Sequence, residues 1–193
     1  MLLRIVHFNP TMNKKMKERN LKAQVWVETA VYTVIGMTII AILLSVVTPQ
    51  IEKIKDKGVV EQTMNAMNIL DGKIAETEQA SGSIRIIDFR IAKGKAEIVP
   101  SEKLIRYILE DTKLELTQSD EEIREGNIFI KTEKQGARFN IILELRYDNI
   151  DLSYDGESYT KVLQAGTTPY KIKIENLGEN GVDDNVHLDF SLL

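Results

Sequence analysis

Lys22-Ala23-Gln24-Val25-Trp26-Val27-Glu28 leads into an apolar run over residues 29–47, and the rest of the chain is organised around this stretch. Between residues 25 and 47 the one charge is Glu28; the others are mainly Val, Ile, Leu, Ala and Met. A run of that length suits the ~20 residues that a helix needs to cross a bilayer. Ahead of it stand Arg4, Lys14, Lys15, Lys17, Arg19 and Lys22, against the single acid Glu18. That asymmetry predicts a cytoplasmic N-terminus, with everything after Val47 outside. Glu28 breaks the pattern, because an ionisable residue just inside an apolar span is costly to bury and marks a functional position.

The order of these features is itself informative: a basic leader, Ala23, a cut, Glu28 as fifth residue of the new chain, then a long apolar helix. It resembles a type IV prepilin. More narrowly, it is similar to the archaeal class with a class III signal peptide, whose leader ends in a basic residue plus Gly or Ala and whose mature chain opens Gln-x-Ser-x-Glu. Here the pattern is Lys22-Ala23 | Gln24-Val25-Trp26-Val27-Glu28, with Trp26 in place of the Ser. The motif-bearing part covers residues 14–70. The resemblance implies cleavage after Ala23 by a membrane-embedded prepilin peptidase. Subunits then wait in the membrane until a cytoplasmic assembly ATPase and a membrane platform protein draw them into a helical homopolymer, an extracellular surface filament serving adhesion, motility or DNA uptake, among which the sequence does not choose. Residues 1–11 do not resemble the short basic leaders of this class, which makes Met12 and Met16 candidate starts beside Met1. An ordinary signal anchor explains the basic flank and apolar run equally well, but asks for neither Glu28 nor Ala23-Gln24. The alternative is therefore an uncleaved single-pass anchor carrying a β-domain as a surface binding module.

Composition narrows the classes further. At 193 residues the chain holds one to two domains. With 28% charged residues the bulk is an ordinary soluble domain attached to one membrane segment. There is no cysteine, which excludes disulfides, thiolate metal sites and a Cys nucleophile. The net charge is −4, and loss of residues 1–23, with six bases and one acid, leaves −9. Such an acidic chain is not a general nucleic-acid binder, whose affinity rests on Lys and Arg neutralising phosphates.

The expected fold is α+β: a leader over 1–23, a long N-terminal helix over 24–80 and an extracellular β-rich domain over 82–193. The helix divides into a transmembrane half (25–47) and an amphipathic half (50–80), which packs on an antiparallel, sandwich-like β-domain. Pro49 should kink or locally break it. Beyond Pro49, Ile51, Ile54, Val60, Met64, Met67, Leu70 and Ile74 recur mostly at three- and four-residue spacing. From Ile84 the period becomes two, and eight or so short strands follow. Residues 101–109 fit either a short helix or a strand. Leu114 and Leu116 read as a brief strand and 119–126 as a solvated loop. Two hairpins are expected, 127–133 with 137–147, and 150–154 with 158–163 around Asp155-Gly156.

Catalytic chemistry finds little to work with. His7 and His187 are the two histidines, and neither G-x-S-x-G nor a phosphate-binding loop is present. No enzyme, cofactor or metal is expected. The acidic turn at Glu179, Asp183 and Asp184 has oxygen donors for Ca²⁺ but lacks the spacing of a calcium loop. The functional expectations sit in the helix instead. Ala30, Gly36, Ala41 and Ser45 are small enough to let neighbouring helices approach. The cut would free an α-amine on Gln24, and that ammonium facing Glu28 of an adjacent subunit would compensate both charges. Glu28 also complements the positive end of its own helix, worth ~0.3–1 kcal/mol.

Overall fold

The computed structural model describes the backbone of residues 10–118, 121–180 and 185–193, and side chains from Gln24 on, Asn180 excepted. Among these residues one α-helix, α1 (Pro10–Glu78), is followed by ten strands. The chain divides into two compact units, Met1–Pro49 and Gln50–Leu193. In the first, every described residue from Gln24 to Thr48 is exposed except the half-buried Gly36. Of the expected kink or local break at Pro49, the break is absent, for α1 runs through it. A proline here removes one helical N–H, the partner of the Ser45 carbonyl. The nearby hydroxyls of Ser45 and Thr48 bond the Ile42 and Leu44 carbonyls and not that of Ser45.

In the second unit, the remainder of α1 accompanies two sheets. The four-stranded sheet has the order β1 (Ile84–Phe89), β9 (Tyr170–Asn180), β10 (Asn185–Leu192), β7 (Ile150–Tyr154). The six-stranded sheet runs β4 (Glu122–Glu125), β5 (Ile128–Gln135), β6 (Arg138–Arg146), β3 (Leu104–Thr112), β2 (Lys95–Val99), β8 (Lys161–Gln164). The α+β expectation and the antiparallel pairing hold, with one exception: β10 pairs with β7 in parallel. Residues 104–112 are strand, entered by a 3-10 turn (Pro100–Glu102) in which Lys103 adopts φ 52°.

Three expectations need correcting. The 150–163 hairpin does not form. Asp155 and Gly156 do take the positive φ of a tight turn, but past the single bridge Tyr154–Glu157 the strands part. β7 joins β10 in one sheet and β8 joins β2 in the other. Leu114 and Leu116 make no strand; their N–H groups bond the hydroxyls of Thr112 and Thr132. Part of the expected loop is β4, which pairs with β5 from Glu122 to Glu125. Residues 119 and 120 of that loop lie outside the described residues.

The helical stripe also differs in phase from its apolar spacing. The buried positions are Asp56, Val60, Thr63, Met67, Leu70, Ile74 and Thr77, a repeat of fours and threes. Met64 is partly buried beside it, whereas Ile51 and Ile54 are exposed. At about 100° per residue, Ile54 stands roughly 160° round the helix from Asp56. Val60, Met67, Leu70 and Ile74 share one apolar cluster with Tyr107, Ile130, Leu143 and Ile98 of the larger sheet, and with Phe89, Ile172, Ile174 and Phe190 of the smaller. Each such buried side chain contributes about 1.5–3 kcal/mol.

Candidate functional site

The described residues that carry the functional expectations lie between Gln24 and Thr48. Lys22 and Ala23 belong to α1 by backbone, and their side chains lie outside the described residues. The Gln24 side-chain amide donates to Glu28 Oε1 at 3.0 Å, one helical turn on. Glu28 thus has a polar partner on its own helix, which the sequence reading did not anticipate although the i,i+4 spacing permits it.

Besides the exposed Tyr32, five Ser and Thr hydroxyls interrupt the apolar surface, and each of the five is satisfied internally. Thr29, Thr33, Thr38 and Thr48 donate to the carbonyls of Val25, Thr29, Val34 and Leu44 at 2.8–2.9 Å. Ser45 donates to Ile42 at 2.7 Å. Where no water is available, a hydroxyl closed on its own backbone spares the helix an orphan donor. Of the small residues, Ala30, Ala41 and Ser45 fall within roughly 60° of one another around the helix at 3.6 residues per turn, while Gly36 lies at least about 120° away. Two faces, rather than one, therefore offer close approach. The helix is long and apolar enough to cross a membrane, and none of its most apolar window is buried.

The second unit grips its own part of α1 by polar contacts at both ends. Near the start, Asp56, 5% exposed, accepts from Lys93 at 2.7 Å and from Thr112 at 2.5 Å. Lys93 is held for this by the turn after β1. Gly94 has φ +79°, and a Cβ there would stand 2.3 Å from the Ile108 carbonyl, so only glycine lets the turn lie so close to β3. Tyr107, on β3, donates to the Lys93 carbonyl at 2.6 Å; burial pushes its hydroxyl up to about 12. Beside this, Glu52 pairs with Lys113 at 2.8 Å and Arg138 at 3.7 Å. Mid-helix, Asp71 accepts from Tyr147 and Asn127, and burial, then the nearby Asp71 carboxylate, raise the Tyr147 pKa. At the far end Asn176, from β9, donates its amide to the Thr77 and Glu78 carbonyls at 2.9 and 3.1 Å. Ser83 adds a second bond to Thr77. The last carbonyls of a helix have no internal partner, and a strand residue about a hundred positions later supplies one.

Two polar groupings on the sheets remain. On the six-stranded sheet, Glu144 is bonded by Arg106 at 2.6 Å and Arg146 at 2.6–2.8 Å. Burial opposes its charge, but the two guanidiniums win and hold the carboxyl below its usual range. Arg124 and Arg146 stack on Phe129, 5.2 and 4.3 Å from its ring centre. On the four-stranded sheet, His187 Nε2 is 2.9 Å from Ser153 Oγ, which itself donates to Asp189 at 2.5 Å. That order puts the serine between acid and imidazole. A nucleophilic serine needs its proton taken by the imidazole, with the acid behind it, so this grouping ties β7 to β10 and does not activate Ser153. No group of three or more metal-ligating side chains occurs among the described residues. Asp183 and Asp184 of the acidic turn lie outside them.

A long N-terminal apolar helix whose second half packs on a β-rich domain is compatible with a pilin-like fold. Compared with known protein families, curated proteins and solved structures, the chain matches none.

Proposed function

We propose that the chain is the structural subunit of an extracellular type IV pilus-like filament, not an enzyme. It is processed after Ala23 and assembles with copies of itself through the helix over 24–48. The observation that carries this reading is the exposed apolar helix with its single charge, Glu28, in the fifth place after Ala23. Transfer of such a helix from lipid into a bundle of identical helices exchanges one apolar setting for another. The back-bonded hydroxyls make that exchange easier, since none has to find a new partner. The small residues, spread over two faces, let each helix touch more than one neighbour. The implied partners are a prepilin peptidase, an assembly ATPase with its membrane platform protein, and the membrane itself, but no nucleic acid.

The test is the N-terminus of the mature protein. A chain beginning at Gln24 supports the reading, and Ala23→Leu should leave full-length precursor in the membrane. One observation favours a second reading, the uncleaved anchored β-domain: Glu28 already has the Gln24 amide as partner and needs no neighbouring subunit. A mature chain that keeps residues ahead of Gln24 would select it.

A further inference from the structure

The second unit is acidic as a whole, with 19 Lys and Arg against 27 Asp and Glu over residues 50–193. Its first two helical turns are an exception. Lys53, Lys55 and Lys57 follow one another at alternate positions and all are exposed. The acids among them are engaged elsewhere: Glu52 by Lys113 and Arg138, and Asp56 by Lys93 and Thr112. Lys57 reaches Glu61 at only 3.9 Å. Among the described residues, neither Lys53 nor Lys55 has a carboxylate within ion-pair distance. The unit thus supplies its own cations to the acids of this segment and leaves two lysines uncompensated.

We propose that Lys53 and Lys55 bind the phosphate headgroups of anionic lipids while the subunit waits in the membrane. This rests on the reading that residues 25–47 span the bilayer. The two lysines then follow the end of the span by about 9–12 Å of helix rise, a little beyond the roughly 5–8 Å depth of a headgroup layer. Their four-carbon stems bridge the remainder, lying along the helix with the ammonium in the polar zone. An ammonium in that layer feels the surface potential of anionic lipid, which fades within a Debye length of about 8–10 Å. For the proposed filament the contact has a use. It holds the waiting subunit at a fixed depth, and it is given up when the helix leaves the lipid.

The experiment uses the full chain in lipid nanodiscs, of phosphatidylcholine alone or with half phosphatidylglycerol, and measures lysine acetylation rates by peptide mass spectrometry. An ammonium held by phosphates gives up its proton less readily and acetylates more slowly. In anionic discs Lys53 and Lys55 should slow about fivefold and recover in molar salt. Lys73, about 27 Å further along the same helix, should not change. Equal rates at Lys53 and Lys55 in both discs, with the chain inserted, overturn the proposal alone. A chain that never enters the discs overturns the membrane reading with it. Slowing at all three lysines alike, from a general drop in surface pH, also counts against it.

Discussion

Asn176 offers a sharp test of how the helix is fastened. The side chain is 3% exposed and serves two purposes: its amide donates to the carbonyls of Thr77 and Glu78, and its oxygen accepts from Gly178 N–H at 2.8 Å. In Asn176→Ala, Thr77 keeps its bond from Ser83, so the groups left without a partner are the Glu78 carbonyl and the Gly178 N–H. Each orphaned buried group costs about 1–3 kcal/mol. Both are only part-buried, which favours the lower end, so we expect a loss of about 2–3 kcal/mol. Asn176→Asp separates donation from size. It fits the same space and still accepts from Gly178, but it turns a carboxylate toward two carbonyls at the negative end of the helix dipole. It should be the worse variant by about 1–2 kcal/mol. Guanidinium unfolding of the full chain in detergent, followed by near-UV circular dichroism, is the assay. Five of the six tyrosines lie beyond residue 50, so the signal reports the β-rich unit. Asn176→Asp equal to wild type, or milder than Asn176→Ala, would refute the capping argument.

Met67, fully buried on the helical stripe, should not tolerate an unpaired charge: Met67→Asp is expected to cost about 3–5 kcal/mol in the same assay. Glu28→Gln keeps size and helix but removes the charge. Under the filament reading the variant is inserted and cut after Ala23 but accumulates as mature monomer, as precursor mobility and filament recovery would show; a wild-type filament yield would leave Glu28 only its helix-end role. Tyr107 predicts an alkaline limit. Its folded pKa of about 12 exceeds the ordinary 10.0, so the unfolded chain loses that proton first. The stabilisation is complete below pH 10 and falls away between 10 and 12, by about 3 kcal/mol in all. Tyr107→Phe should flatten part of that fall in pH-dependent denaturation.

The features visible in the sequence were those that repeat over many residues. The apolar run at 25–47, the switch to period two at Ile84 and the hairpin around Gly136 each rest on several agreeing positions. The stripe on α1 was only half visible because three of its seven buried positions are polar: Asp56 accepts from Thr112 on a distant strand, while Thr63 and Thr77 donate to the Val59 and Lys73 carbonyls of their own helix. Ile51 and Ile54 imitate its continuation, yet six residues separate Ile54 from Val60, a rotation that leaves them about 120° apart. Asp155-Gly156 does make its turn. What no local pattern could report is that β2 and β10 lie ready in different sheets to take the two arms. Residues 104–109 stayed ambiguous for a related reason. Leu104 and Ile105 are both buried although they point to opposite faces of the strand, so strict alternation is lost. In the apolar segment the sequence marks Glu28 and a link to the Gln24 α-amine of a neighbour, but not the bond from the Gln24 side-chain amide on the same helix.

The strand order of the smaller sheet has a kinetic consequence. β10 lies between β9 and β7, and those strands have no other link within the sheet. The sheet therefore cannot close on a growing chain until residues 185–192 are available. Asn176, which finishes the helix, also comes late. Pairings this far apart in sequence give a high contact order and slow folding. On the outer side of a membrane the chain would spend its waiting time with unpaired edges exposed. A chain clipped before β10 would lose more than a fringe strand, since β7 and β9 would each be left with an unpaired edge open to proteolysis. The topology thus acts as a checkpoint, with a finished sheet open only to chains that include β10.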